Sequence, residues 1–186
     1  MKFTDVLRLA FWHGLFFTVG SAFFVWLFST PLFAGTIFFY RGIGLLLVTC
    51  LIMTIGVFLF HSSKAGRIFT IRDIILAIVV LFSVNMLFFT HVPVTADRSI
   101  SVFLLGYMNT HQDKPQTADD LIRVFDTVYM SRYGAIAKRM DEQIASGNVK
   151  KEKVGYTLTL QGRRLMDLYM IVAKMYGLNT RIVAPR

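Results

Sequence analysis

Residues 131–162 read SRYGAIAKRMDEQIASGNVKKEKVGYTLTLQG, and this stretch decides the fold of the chain. Its first half repeats apolar residues at spacings of three and four, which predicts a helix with one buried face. That face carries Tyr133, Ile136, Ala137, Met140 and Ile144. Gly147 follows, and it is expected to end the helix in the left-handed conformation that glycine adopts readily.

A basic hairpin is predicted after Gly147. Three lysines crowd a tight connection, and Tyr156 and Leu158 then alternate with threonines, as residues do in a half-buried strand. Thr159 is expected to cap a last helix, because a threonine side chain accepts hydrogen bonds from the first helical turn. The predicted order is therefore helix, two strands, helix.

This order resembles the winged helix-turn-helix superfamily. In that superfamily a third helix is followed by a small-residue stop, a two-stranded wing and an LT-x-x-G entry to a last helix. The matching segments are Ser146–Val149, Gly155–Thr159 and Gly162, within a region that covers roughly residues 98–178. The resemblance implies a winged-helix-like domain, whose third helix enters the major groove in DNA-binding members.

The first half of the chain has a different composition. The 186 residues are 55% hydrophobic and carry a net charge of +9, with a mean hydropathy of +0.57. Apolar residues concentrate before residue 92, and most charges come after residue 97. This asymmetry predicts a mostly α membrane protein, with a transmembrane domain over residues 1–92, a small α+β winged-helix-like domain over 98–178 and a basic tail over 179–186.

About three transmembrane helices are expected, over residues 9–28, 42–60 and 74–90. Pro31 ends the first. The next apolar run contains Arg41 and allows two interpretations. In one, residues 42–60 cross and Leu32–Phe39 return along the membrane surface. In the other, the whole run is one tilted helix with Arg41 buried.

Basic residues in the short flanks predict the orientation. Five of them, Lys2, Arg8, Lys64, Arg67 and Arg72, would share one side of the membrane, whereas the other short connection has only Arg41. Because positive flanks stay in the cytoplasm, we expect a multi-pass protein of the inner (plasma) membrane, anchored by an uncleaved signal. Its N-terminus would be cytoplasmic and its C-terminal domain extracytoplasmic.

The predicted spans contain no Asp or Glu, which disfavours a proton- or cation-coupled transporter. Two intramembrane polar residues remain of interest. Arg41 is expected to face headgroups, with a substrate site as the alternative. Asn85 is expected to form a hydrogen bond with another helix.

The C-terminal domain is expected to begin with a helix over about Ile100–His111. A second helix, with a capping box at Thr117–Asp120, would run to Met130, and Ser131 would cap the third. The last helix, about Leu160–Tyr176, has two apolar sets. The predicted core set is Leu165, Leu168, Tyr169, Val172 and Ala173, and the predicted partner-binding set is Met166, Met170, Ile171 and Met175.

Two sets of side chains would contact nucleic acid under the resemblance. The base-reading set is Arg132, Arg139 and Gln143, on the face of the third helix opposite Met140. The phosphate-binding set is Lys150, Lys151 and Lys153 in the wing. A solvated basic face and contact with anionic lipid headgroups are the other interpretations, since residues 98–186 carry 14 basic and eight acidic residues, a net +6.

Catalytic and metal-binding patterns are missing from the sequence. The four histidines lack metal-ligand spacing, the adjacent acidic pairs fall on different helical faces, and no phosphate-binding glycine motif occurs. We therefore expect a non-catalytic accessory or regulatory subunit of an envelope complex, without cofactor or metal. It would contact membrane lipids and another membrane or envelope protein or a second copy.

Two other functions remain open at this stage. One is a membrane-tethered DNA-binding transcription regulator, which needs a cytoplasmic C-terminal domain. The other is a small accessory enzyme of a lipid or glycan pathway that uses Arg41 to bind a phosphate.

Overall fold

The computed structural model describes residues 3–62, 70–113, 115–179, 181 and 183–185. The chain divides into two compact units, Met1–Ile100 and Ser101–Arg186. The first unit contains helices α1 (Phe3–Leu27), α2 (Phe38–His61), α3 (Ile71–His91) and the short α4 (Pro93–Arg98). The second contains the elements from α5 onward, apart from the first residue of α5, Ile100, and it includes a small two-stranded sheet.

Helices α1, α2 and α3 are long and apolar enough to cross a membrane, the last together with α4 as one stretch to Arg98. A helix of 24 residues such as α2 is about 36 Å long at 1.5 Å per residue, which exceeds the ~30 Å of a bilayer core. The three helices are therefore compatible with the predicted multi-pass membrane protein. Each helix begins a few residues earlier than the sequence predicted.

The segment between α1 and α2 consists of turns rather than a helix. Hydrogen bonds from Ala34 N to the Pro31 carbonyl and from Thr36 N to the Phe33 carbonyl close two of them. Helix α2 then begins at Phe38. The apolar run that starts at Leu32 is therefore not one continuous tilted helix, because Pro31 and the turns after it interrupt the helical hydrogen-bond ladder.

The first unit has a compact core where its three long helices meet. Its fully buried side chains include Leu45, Leu46, Leu81 and Phe89. Gly42 lies directly against the ring of Phe89, where a larger residue would not fit. The outer faces carry exposed Leu, Ile, Val and Phe side chains, which is the arrangement that a lipid environment favours.

In its described residues, the second unit consists of helices, one hairpin and the turns that connect them. Its elements are α5 (Ile100–Thr110), α6 (Ala118–Val124), a π-helical segment (Phe125–Arg132), α7 (Ala135–Ala145), β1 (Val149–Glu152), β2 (Gly155–Leu158) and α8 (Leu160–Met175). The two strands pair antiparallel, with Val149 opposite Leu158 and Glu152 opposite Gly155. The mostly helical chain with a small C-terminal sheet confirms the coarse fold class.

Local capping signals are confirmed at three positions. Thr117 and Asp120 form the predicted capping box of α6. Gly147 adopts a positive φ of 74° after α7. The Thr159 side chain accepts a hydrogen bond from Gly162 N at the start of α8.

The start of the third helix was predicted wrongly. Ser131 does not cap it, since this residue lies in the π-helical segment and its hydroxyl donates to the Asp126 carbonyl at 2.8 Å. Helix α7 begins only at Ala135, after Gly134 in the left-handed conformation with φ of 61°. The second helix extends past Met130 because its last turns widen into a π-helix, which also holds Arg132 outside α7.

One junction joins α7, the hairpin and α8. Thr159 N donates to the Asn148 carbonyl at 3.0 Å, and the Gln161 side chain donates to the Ser146 carbonyl at 2.8 Å. Gly162 lies so close to Asn148 that a β-carbon there would overlap the Asn148 carbonyl oxygen. The threonine and glycine of the LT-x-x-G motif therefore serve a helix cap and a close backbone contact.

Candidate functional site

Arg41 binds the end of α1. Its guanidinium group donates to the carbonyls of Thr30 at 2.6 Å, Phe28 at 3.2 Å and Leu32 at 3.2 Å. It also lies over the Phe28 ring, 5.6 Å from the centroid. Carbonyls that follow the last turn of a helix lack intrahelical partners and lie at the negative end of its dipole. Arg41 therefore ties the first turn of α2 to the end of α1.

This arrangement bears on the hypothesis that Arg41 binds a phosphate. The Nε and one terminal nitrogen of Arg41 already donate to backbone carbonyls, and the residue is half-buried. A phosphate would have to compete with these charge-assisted hydrogen bonds. The geometry favours a structural role for Arg41 over a substrate site.

Asn85 forms a hydrogen bond between helices. This buried side chain on α3 donates to the hydroxyl of Ser21 on α1 at 2.9 Å and to its own helix at the Leu81 carbonyl at 2.8 Å. Polar side chains between apolar helices stabilise their association in this way. Asn85 is thus a packing contact within the first unit.

An apolar cavity of about 200 Å³ lies among α1, α2 and α3. Its walls include Trp12, Phe16, Met53 and Val57, and the Trp12 and Phe60 rings meet with centroids 4.8 Å apart. Its walls are almost entirely apolar, so the cavity presents few groups for acid–base chemistry.

The predicted base-reading residues do not share one exposed face. Arg132 lies at the end of the π-helical segment and not on α7. Arg139 donates from one nitrogen to both carboxylate oxygens of the buried Glu142, at 2.9 and 2.8 Å. The Gln143 carbonyl oxygen accepts a hydrogen bond from the Asn148 side chain at 2.9 Å. The spacing of three residues between Arg139 and Glu142 was a signal in the sequence for the first pair, whereas the contact of Gln143 with Asn148 depends on the turn after α7.

The hairpin separates its lysines onto different faces. Lys150 pairs with Glu152 at 3.0 Å, and the Thr157 hydroxyl donates to the same carboxylate at 3.1 Å. The hydrogen bonds from Lys150 and then from Thr157 hold the pKa of Glu152 below its ordinary value. Lys151 lies on the opposite face, across from Tyr156.

The turn of the hairpin is Lys153-Val154, and it is fully open to solvent. Val154 is 99% exposed, and Lys151 and Lys153 are exposed beside it. Neither of these two lysines forms an ion pair with another described residue. The hairpin thus ends in an apolar side chain flanked by two lysines that have no ion-pair partner in the described part of the chain.

The two apolar sets predicted on α8 are partly exchanged. Met166 and Met170, expected to bind a partner, are half-buried, whereas Leu168 and Tyr169, expected in the core, are exposed. Ile171 and Met175 are exposed as expected, at 55% and 73%. The packed face of α8 is centred on Gly162, Met166 and Ala173, since Gly162 must meet Asn148.

An aromatic groove between α5 and the π-helical segment was not anticipated. It has a volume of about 570 Å³. On α5 the Tyr107 and His111 rings stack with centroids 4.1 Å apart, and Phe103 meets Tyr129 at 4.9 Å. The signal was present in the sequence as two rows of ring side chains four residues apart. These rows are Phe103, Tyr107, His111 and Phe125, Tyr129, Tyr133.

Among the described residues, no group of three or more His, Cys, Asp or Glu side chains could hold a metal ion. Comparison with protein-family models, with curated proteins and with solved structures finds no match for this chain. Inferences about its function therefore depend on the geometry of its own residues.

Proposed function

We propose that this protein is a non-catalytic integral membrane protein whose C-terminal, winged-helix-like domain binds another protein at the membrane surface. In this role it is an accessory or regulatory subunit of an envelope complex. The observation that carries the proposal is the uncovered apolar stripe on α8, formed by Leu168, Ile171 and Met175.

The stripe has the geometry of a helix-to-helix contact. Its members are three and four residues apart, so they project from one side of α8. That side lies opposite Met166 in helical phase, which belongs to the packed face. Covering three large apolar side chains that are half to three-quarters exposed stabilises a complex by about 3–5 kcal/mol.

The rest of the second unit supports the same proposal. Its only fully buried described residues are Glu142, Asn148, Gly162 and Ala173. Apolar residues elsewhere, such as Ile136 on α7, remain more than half exposed. A domain with so little of its own apolar surface covered gains stability from a partner.

The winged-helix assignment is part of the proposal. It is supported by the order of helices and strands and by the Thr159 cap and Gly162 contact at the entry to α8. The extracytoplasmic position of the domain is supported by the five basic residues that flank the other side. A reporter fused after Arg186 tests this orientation directly.

Charge placed on the stripe tests the contact. The double variant Ile171→Glu/Met175→Glu adds charge to the stripe, and Arg163→Glu is the matched control because it adds a carboxylate to the same helix away from the stripe. After extraction in mild detergent, we expect the parent chain and the control to purify with a second protein or a second copy. The double variant is expected to lose that component. A strictly monomeric particle for all three proteins would refute the proposal.

The alternative function, a membrane-tethered DNA-binding regulator, retains support only from the basic hairpin. The ion pair of Arg139 with Glu142 and the position of Arg132 outside α7 weaken the base-reading face. A cytoplasmic reporter signal together with salt-dependent binding of the full chain to duplex DNA would favour this alternative.

A further inference from the structure

The tip of the hairpin combines features that neither a solvated turn nor a phosphate clamp requires. Val154 is almost fully exposed at the end of a two-residue turn. Gly155, directly after the turn, has a φ of 153°, which a residue with a side chain adopts rarely. An isolated apolar side chain at this position makes no favourable interaction with water.

The charge around the tip is arranged asymmetrically. Lys150 is paired with Glu152 on one face of the hairpin. Lys151, Lys153 and the half-exposed Tyr156 surround the apolar tip, with Lys151 and Tyr156 directly opposite each other. Lysine and tyrosine beside an apolar residue are typical of segments at the membrane–water interface, where each side chain places its apolar part inward and its polar part in the headgroups.

We propose that the hairpin tip, Lys151–Tyr156, docks on an anionic lipid surface, with Val154 entering the headgroup region. Each juxtamembrane lysine strengthens binding to such a surface by about fivefold, and Val154 adds the transfer of its apolar side chain. Duplex DNA would attract the lysines through its phosphates, but it offers Val154 little apolar surface beyond the thymine methyl groups. The exposed tip therefore favours a bilayer over nucleic acid.

The short connection limits the distance between the end of α3 and the start of the second unit. Nine residues, 92–100, separate the end of α3 from the start of the second unit, and they span at most about 30 Å even when extended. The local lipid concentration is therefore high, and weak contacts at the tip suffice for docking.

A fluorescent label at the tip tests this inference in the full chain. We use Val154→Cys labelled with an environment-sensitive dye, in a Cys50→Ala background that removes the other thiol. The protein is placed in nanodiscs of phosphatidylcholine, with or without phosphatidylglycerol. We expect a blue shift and protection from aqueous quenchers in the anionic nanodiscs, and a return to water on adding salt.

Two variants identify the cause of the signal. Adding Lys151→Glu/Lys153→Glu is expected to weaken docking at least tenfold, because two attractions become repulsions. The same label at Asp167→Cys, an exposed site on α8, is the control and is expected to stay in water.

Two outcomes would overturn the proposal. One is equal quenching at position 154 in both lipid compositions. The other is a response to added duplex DNA without a response to anionic lipid. The result is independent of the α8 contact, since Ile171→Glu/Met175→Glu leaves the hairpin unchanged and should retain the lipid signal.

Discussion

Replacing Gly162 with alanine is expected to loosen the junction between α7, the hairpin and α8. The new β-carbon would overlap the Asn148 carbonyl oxygen and approach Leu158 Cδ2 to 3.0 Å. The obstructing atom is backbone, so it cannot rotate away as a side chain would. The start of α8 must instead move away from Asn148.

The size of the effect follows from the contacts that this movement disturbs. Adding a methyl group to a tightly packed contact costs about 1–3 kcal/mol. The hydrogen bonds of Thr159 and Gln161 to residues 146–148 weaken too, at about 1 kcal/mol each. The higher helix propensity of alanine offsets at most about 1 kcal/mol of this loss in stability. With the packing cost at the lower end of its range, the net loss is about 2 kcal/mol.

Hydrogen exchange measured by mass spectrometry reports this loss locally. Amides of residues 148–162 should exchange about 30-fold faster in Gly162→Ala, since about 1.4 kcal/mol corresponds to a factor of ten. Gly106→Ala is the matched control, because nothing lies within 4 Å of a β-carbon at Gly106 in α5. Equal exchange rates in the parent chain and both variants would show that the close contact at Gly162 does not stabilise the junction.

The remaining predictions concern the first unit, Met1–Ile100. Arg41→Gln should lower the unfolding free energy in detergent by about 2 kcal/mol, since hydrogen bonds to a charged group are lost at the Thr30 carbonyl and its neighbours; an unchanged thermal transition would rule out this structural role. Asn85→Ala should destabilise by about 0.6–1.7 kcal/mol, and a double-mutant cycle with Ser21→Ala should recover most of that as coupling. Zero coupling would mean that the interhelical hydrogen bond contributes nothing.

Strong local signals in the sequence predicted much of this fold. The three long apolar helices were predicted because each apolar run has about the length that a helix needs to cross a bilayer. Thr117, Thr159 and Gly147 were recognised because capping depends on residues within one turn. Such features need no knowledge of the tertiary structure.

Features that depend on helix phase or long-range contact could not be predicted. The π-helical turns place Arg132 outside α7, and no residue before these turns indicates the change in helical pitch. The exchange between Leu168 and Met166 on α8 follows from the approach of Gly162 to Asn148. The partners of Arg41 are backbone carbonyls 9–13 residues away, which carry no sequence signal.

The π-helical segment Phe125–Arg132 has a consequence for tolerance to length changes. Each π-type turn accommodates more residues than an α-turn, as the hydrogen bond from Tyr133 N to the Val128 carbonyl at 2.8 Å illustrates. The segment therefore contains more residues per turn than an α-helix, while its backbone remains hydrogen-bonded. Deleting one residue from the segment can restore ordinary α-helical pitch without interrupting the helix. Such a deletion should therefore destabilise the protein less than the same deletion in α7.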